Sequence, residues 1–208
     1  MPTHLLSRKP SRDVPGLDLH PDIRLATGRV HEACGSARRS FALWLAGRFC
    51  ERKAGPVLWI SPAWEAGQLN PDGMMEFADP ARFLFVQPRR AEDLLWCTEE
   101  ALRSGAVPLV VADLPGAPAL TPVRRMHLAA EQGGQMGHAP IGLLLTPGEG
   151  GAQGTESRWH MTPAHDGQAR RWRLERRRAR TLPPARWLAC QTRPRTGLHL
   201  SRTEVPDT

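Results

Sequence analysis

Short apolar runs, each too brief for a helix and each fenced by proline, glycine or charged residues, constrain this chain more than any other feature. Val57–Ile60 (VLWI), Phe83–Val86 (FLFV), residues 109–112 (LVVA) and Ile141–Leu145 (IGLLL) are continuous hydrophobic segments. That pattern belongs to strands buried on both faces, as in a parallel sheet covered by helices. Residues 30–34 supply a further strand ahead of them. Helical patterns fill the gaps. Residues 40–52 place Phe41, Leu45 and Phe49 on one stripe at i, i+4, i+8. Residues 91–103 place Leu94, Leu95, Thr98, Ala101 and Leu102 on one face, with Glu92 and Asp93 suiting the positive end of the helix dipole. A short helix is expected over 74–77 and a longer one over 121–131. Alternation of this kind predicts an α/β fold with a mainly parallel sheet flanked by helices.

The grammar changes after Pro147. A glycine-rich loop (PGEGGAQG, 147–154) precedes three period-2 segments, 158–162, 171–175 and 186–190, each with one tryptophan: Trp159, Trp172 and Trp187. Alternation puts the tryptophans on one face and the arginines on the other, so these segments are expected as antiparallel strands that extend the sheet. Residues 1–22 are rich in Pro, Arg and Ser and read as a disordered tail. Residues 23–191 form one domain, and 192–208 read as a second disordered tail.

The formal net charge is +7. From Arg158 onward twelve arginines face four carboxylates, so the excess sits at the C-terminal end. Lys9 and Lys53 are the only lysines. Arginine pairs bidentately with phosphate and stacks on bases, which suits a nucleic-acid surface, although coding bias gives the same composition. Seven arginines fall within 170–180. Arg158, Arg171, Arg173 and Arg177 are the candidate DNA contacts, the alternative being a charged edge that resists aggregation. Trp64, in the loop SPAWEAG, has no core period and is the candidate anchor for a protein partner. The four cysteines are widely spaced with no C-x-x-C pair, and the histidines show no metal-binding spacing. Reduced thiols, no metal, no membrane span and a cytoplasmic protein are expected.

Residues 28–48 (GRVHEACGSARRSFALWLAGR) run strand, turn, helix, where a P-loop NTPase carries G-x-x-x-x-G-K-[ST]. Such a loop converges backbone N–H groups on the phosphates and adds a lysine. Here Gly35 marks the turn, Arg38 takes the second glycine position, and Arg39 and Ser40 stand where Lys and Ser/Thr would be. A degenerate nucleotide site would use Gly35, Arg39, Ser40 and Asp113, with Mg²⁺ on Asp113 and Glu65 as the nearest water-activating base. The plainer reading is a connecting turn with no cofactor.

ALRSGAVPLVVADL (101–114) resembles the helix and strand of a RecA-type core, with Asp113 at the Walker B acid, and the order of elements matches over residues 25–145. The chain more specifically resembles the ImuA family. The matching features are HE-x-x-G at His31, Glu32 and Gly35, PVLWI at 56–60, DPARFLFV at 79–86, EDLLWCTEEALRSGAV at 92–107, and RWRLE at 171–175. The resemblance implies a RecA-like sheet and an accessory role in SOS-induced, error-prone translesion DNA synthesis. The partners it implies are an ImuB-like relative of Y-family polymerases and an error-prone DnaE-type polymerase, with single-stranded DNA as a further ligand. Two alternatives stand beside it: a nucleotide-gated switch or weak DNA-dependent ATPase, and a DNA-binding regulator of the SOS response or cell division.

Overall fold

The computed structural model describes residues 15–203 apart from Lys53, Ala66 and Gln168. Strands β1 (Gly16–His20) and β2 (Ile23–Ala26) form a hairpin, followed by β3 (Arg29–Cys34) and α1 (Arg38–Glu51). Next come β4 (Val57–Ile60), α2 (Pro71–Met75), β5 (Phe83–Val86), α3 (Ala91–Ser104), β6 (Leu109–Asp113), α4 (Leu120–Met136) and β7 (Ile141–Leu145). The chain closes with β8 (Ser157–Pro163), β9 (Arg170–Ala179), β10 (Ala185–Arg193) and β11 (Thr196–Thr203).

Nine strands make one sheet in the order β11-β10-β9-β8-β3-β7-β6-β4-β5. The run from β8 to β5 is parallel throughout, and β9, β10 and β11 pair antiparallel. The α/β expectation therefore holds, with one correction: β8 joins β3 in parallel, Glu32 opposite Arg158 and Cys34 opposite His160. The cause is the glycine-rich loop. It leaves the end of β7 and runs back along the sheet until the Glu156 amide donates to the Val30 carbonyl, so β8 starts at the same end as β3.

Both expected tails contain strands. Leu17, Leu19, Ile23 and Leu25 are buried at alternate positions in β1 and β2 and close over one face of the sheet with Phe41 and Leu45 of α1. At the other end, β11 pairs with β10 from Arg186↔Thr203 to Arg193↔Thr196, and Leu198 and Leu200 pack on the same core. Residues 1–14 and 204–208 lie outside the described residues.

Two cores sandwich the sheet. One contains α1, the hairpin and the inward residues of the C-terminal strands. The other contains α3 and α4 against Val30, Ile60, Val110 and Leu144. Trp159, Trp172 and Trp187 are all buried in the first, as alternation predicts. Phe41 stacks on Trp159 at 5.7 Å between ring centroids, and Trp44 meets Trp172 edge-on at 5.0 Å. Such pairs add about 1 kcal/mol each beyond the area they bury.

Arg176 breaks the alternation. It shares the inward face of β9 with Trp172 and Leu174 and is only 6% exposed. Its guanidinium lies 5.3 Å from the Trp187 ring and 5.8 Å from the Trp159 ring, and its Nε donates to the Pro183 carbonyl at 3.0 Å. An arginine is tolerated there because two indole faces and one carbonyl replace water around its charge.

Candidate functional site

Open α/β sheets bind ligands at the carboxyl ends of their strands. Here those ends belong to β3, β6 and β7, and two buried acids stand among them. Asp113 closes β6 and is 2% exposed; Glu32, near the end of β3, is fully buried. Burying a carboxylate without a counter-charge is costly, so each must be answered from within the chain.

The turn into α1 answers Asp113. Arg39 Nε donates to Asp113 Oδ2 at 2.5 Å, and Arg38 Nε lies 3.6 Å from Oδ1. Gly67, in the loop after β4, comes so near the Arg39 guanidinium that a Cβ there would sit 3.1 Å from Nη1. Arg39, which the sequence sets at the position of a phosphate-loop lysine, is thus paired with Asp113 and only partly exposed.

The amides of this turn are engaged as well. Gly35 N–H donates to Gly148 O at 2.9 Å, Ala37 N–H to Met161 O at 3.0 Å and Arg38 N–H to Gly35 O at 3.3 Å. Gly35 has φ +88°, and a Cβ on it would fall 2.3 Å from the Met161 carbonyl. Its glycine is therefore required by the close passage of β8. Ser40 lies in the first turn of α1 and is half-buried. Glu65 sits on the loop after β4, its amide donating to Pro62 O at 3.4 Å. Among the described residues no hydrogen bond or ion pair links its carboxylate to Asp113 or the two arginines, and no cluster of acid, histidine and cysteine ligands suits a metal ion.

Glu32 fastens the glycine-rich loop. Its Oε1 accepts from Thr146 Oγ1 at 2.6 Å, Gly151 N–H at 2.8 Å and Ala152 N–H at 3.0 Å. Its Oε2 accepts from Arg158 Nε at 2.5 Å, while Arg158 Nη2 donates to Ala152 O at 3.0 Å. Gly150 has φ +76°, and a Cβ there would meet Glu32 Oε1 at 2.8 Å. The loop is held down, and Arg158, a candidate DNA contact, is the counter-ion of a buried acid. The sequence singled out Glu32 only as part of HE-x-x-G, and its anchoring role has no composition signal.

His31 and His127 brace the same strand. His31 Nδ1 meets Ser157 Oγ at 2.7 Å and its Nε2 meets Ala26 O at 2.9 Å; Trp159 Nε1 donates to the same hydroxyl at 2.8 Å. Nε2 must therefore carry the proton, with Nδ1 accepting from the serine. Burial pulls the His31 pKa down to about 4. His127 Nδ1 accepts from the Val30 amide at 3.3 Å and Nε2 donates to Gly154 O at 3.1 Å; burial lowers its pKa too. Burial also raises the Cys34 thiol to about 11, helped by the Glu32 charge, which keeps it protonated.

The remaining arginine candidates differ in what they touch. Arg171 pairs with Asp166. Arg177 donates to Glu175 at 3.0 Å and also binds Glu149. Arg173 is exposed and has no partner among the described residues. Trp64 is 49% exposed. No described helix is long and apolar enough to cross a membrane. Compared with known proteins, the chain matches no family model and no curated sequence.

Proposed function

We propose that this chain is a non-catalytic accessory factor of damage-induced, error-prone translesion DNA synthesis. On this reading it is of the ImuA type on a RecA-like core, and bridges an ImuB-like relative of Y-family polymerases to a DnaE-type polymerase. One observation carries the non-catalytic half: Asp113 is held by Arg38 and Arg39, while the amides of Gly35, Ala37 and Arg38 already donate to carbonyls. A nucleotide would have to displace an ion pair and find a new nest of donors. Support for the RecA-like core comes from its run of parallel strands with an antiparallel extension, in the element order that the sequence resemblance implies. The partner half rests on that resemblance and on exposed Trp64.

The test titrates the purified chain with a fluorescent ATP analogue and Mg²⁺, with and without single-stranded DNA, and follows phosphate release. No saturable binding at millimolar nucleotide is expected. DNA-stimulated turnover that disappears in Asp113→Ala and Arg39→Ala would overturn the proposal in favour of a nucleotide-gated switch. In parallel, a tagged chain should retain the ImuB-like polymerase relative on a column, and Trp64→Ala should weaken that retention. Failure of the wild type to retain it removes the bridging role.

A further inference from the structure

The side of β8–β11 turned away from α1 carries no described helix. Its outward residues fall in cross-strand rows set by the register. Thr162, Arg173, Leu188 and Ser201 form one row, and His160, Glu175, Arg186 and Thr203 the next. Every tryptophan of these strands faces the other way, into the core. The open side therefore offers guanidinium groups around one strand acid, Glu175, which pairs with Arg177 and Arg186, and no tryptophan platform. Arg171, Arg173, Arg177 and Arg186 lie on it. Beyond Arg178 and Arg180 it borders a mixed-charge cavity of about 690 Å³ lined by Arg29 of β3, Arg124 of α4 and the acids Glu131 and Glu156.

One carboxylate is brought to this face from outside it. Glu149, in the glycine-rich loop, is 77% exposed, binds Arg177 and lies 3.6 Å from His160 Nε2. The loop keeps it there because Glu32 ties down Gly151 and Ala152 just beyond. A surface acid is normally free to sample solvent; this one is tethered over an arginine on the basic face.

We propose that the uncovered face of β8–β11 is a track for single-stranded DNA, and that Glu149 occupies the place of one phosphate on Arg177 until DNA displaces it. The idea deepens the repair reading above and rests on it for the choice of ligand. Arginines two residues apart on β9 stand about 7 Å apart, so an extended single strand can meet them phosphate by phosphate. A duplex presents its phosphates on a rigid curved surface that a flat face meets at fewer points. Without aromatic stacking, affinity comes mainly from phosphate contacts and falls steeply with salt.

Fluorescence anisotropy of a fluorescein-labelled oligothymidylate against the full chain tests this. Three phosphate contacts predict a slope of log K on log salt of about −2, and Arg173→Ala should weaken binding several-fold and flatten the slope by about 0.7. Glu149→Gln should tighten binding about two- to fivefold. Glu51→Gln removes the same charge from the C-terminal end of α1, on the other side of the sheet, and should change nothing. No binding at low salt, an unmoved Glu149→Gln, equal tightening by Glu51→Gln, preference for duplex, or equal competition by polyglutamate would each overturn the proposal. A chain that retains the polymerase relative yet ignores DNA keeps the accessory role and loses the track. One that binds DNA here and retains no polymerase does the reverse.

Discussion

Lowering the pH should destabilise this protein through one imidazole above all. His31 is fully buried, between the Ser157 hydroxyl and the Ala26 carbonyl, with its pKa drawn from the ordinary 6.5 down to about 4. Burial is the main cause; the Ala26 carbonyl opposes it, and His127 and Arg29 add to it. Protonation would place a charge where no carboxylate pairs with it and would turn Nδ1 from acceptor to donor. Because the folded pKa lies below the unfolded one, the stabilisation is complete above pH 6.5 and is lost as the pH falls toward 4. Each pKa unit is worth about 1.4 kcal/mol, so this one side chain accounts for about 3 kcal/mol over that window. For a domain of ordinary stability that is a large share.

Urea denaturation of wild type and His31→Gln, at closely spaced pH values from 7 to 4, measures it. The variant should start less stable at neutral pH and lose about 3 kcal/mol less on acidification. The slope left in the variant belongs to other groups, including His127 and His160, whose pKa values burial also lowers. Parallel curves for the two proteins would refute the reasoning, as would an NMR titration in which the His31 ring protonates near its ordinary pKa.

Glu32→Gln should cost about 3–5 kcal/mol, because it leaves Arg158 facing a buried site without its counter-charge. It should also expose residues 147–154 to limited proteolysis at neutral pH. Gly35→Ala should abolish folding or cost more than about 3 kcal/mol, since it combines a left-handed φ with a Cβ 2.3 Å from a carbonyl oxygen. Gly73→Ala, in α2 with nothing within 4 Å of the added Cβ, should instead stabilise by about 0.5–1 kcal/mol. Thermal or urea melts of the two glycine variants read both signs in one experiment.

Buried parallel strands were the most legible part of this chain, because a strand covered on both faces leaves an apolar run with no competing pattern. Val57–Ile60, Phe83–Val86 and Ile141–Leu145 all form strands where their sequences put them. Phe83–Val86, however, is the edge strand and leaves Leu84 and Phe85 about half exposed, so an apolar run there did not mean cover on both faces. The β1–β2 hairpin was legible in principle: Leu17 and Leu19, then Ile23 and Leu25, alternate with polar residues. Its strands are only five and four residues long, and the surrounding Pro and Arg obscured them. β11 has just Leu198 and Leu200 to mark it and depends on pairing with β10. The direction of β8 is set by where the glycine-rich loop is tied, which composition does not encode. At the candidate site, position along the motif singled out Arg39 and Asp113 as members of a degenerate nucleotide site. That they bind one another follows only from the distance between the ends of β3 and β6.

The arginine excess has a structural side that composition conceals. Glu32 and Asp113 stand at the carboxyl ends of strands separated only by β7, where a parallel sheet ordinarily receives its ligand. Arg158 neutralises the first, and Arg39 with Arg38 the second. Arg176 lies between two indole rings while donating to a carbonyl. Lysine would serve poorly in these places. Its compact, strongly hydrated head gives up more on burial and cannot lie flat against a ring while donating from its edge. Coding bias alone would distribute arginine without regard to such sites; these residues sit at positions that demand a guanidinium. On the reading proposed above, with these strand ends occupied by its own ion pairs, recognition falls to the faces and edges of the sheet. Arg173, which has no partner among the described residues, sits in the middle of the open face, where the proposed phosphate track would cross it.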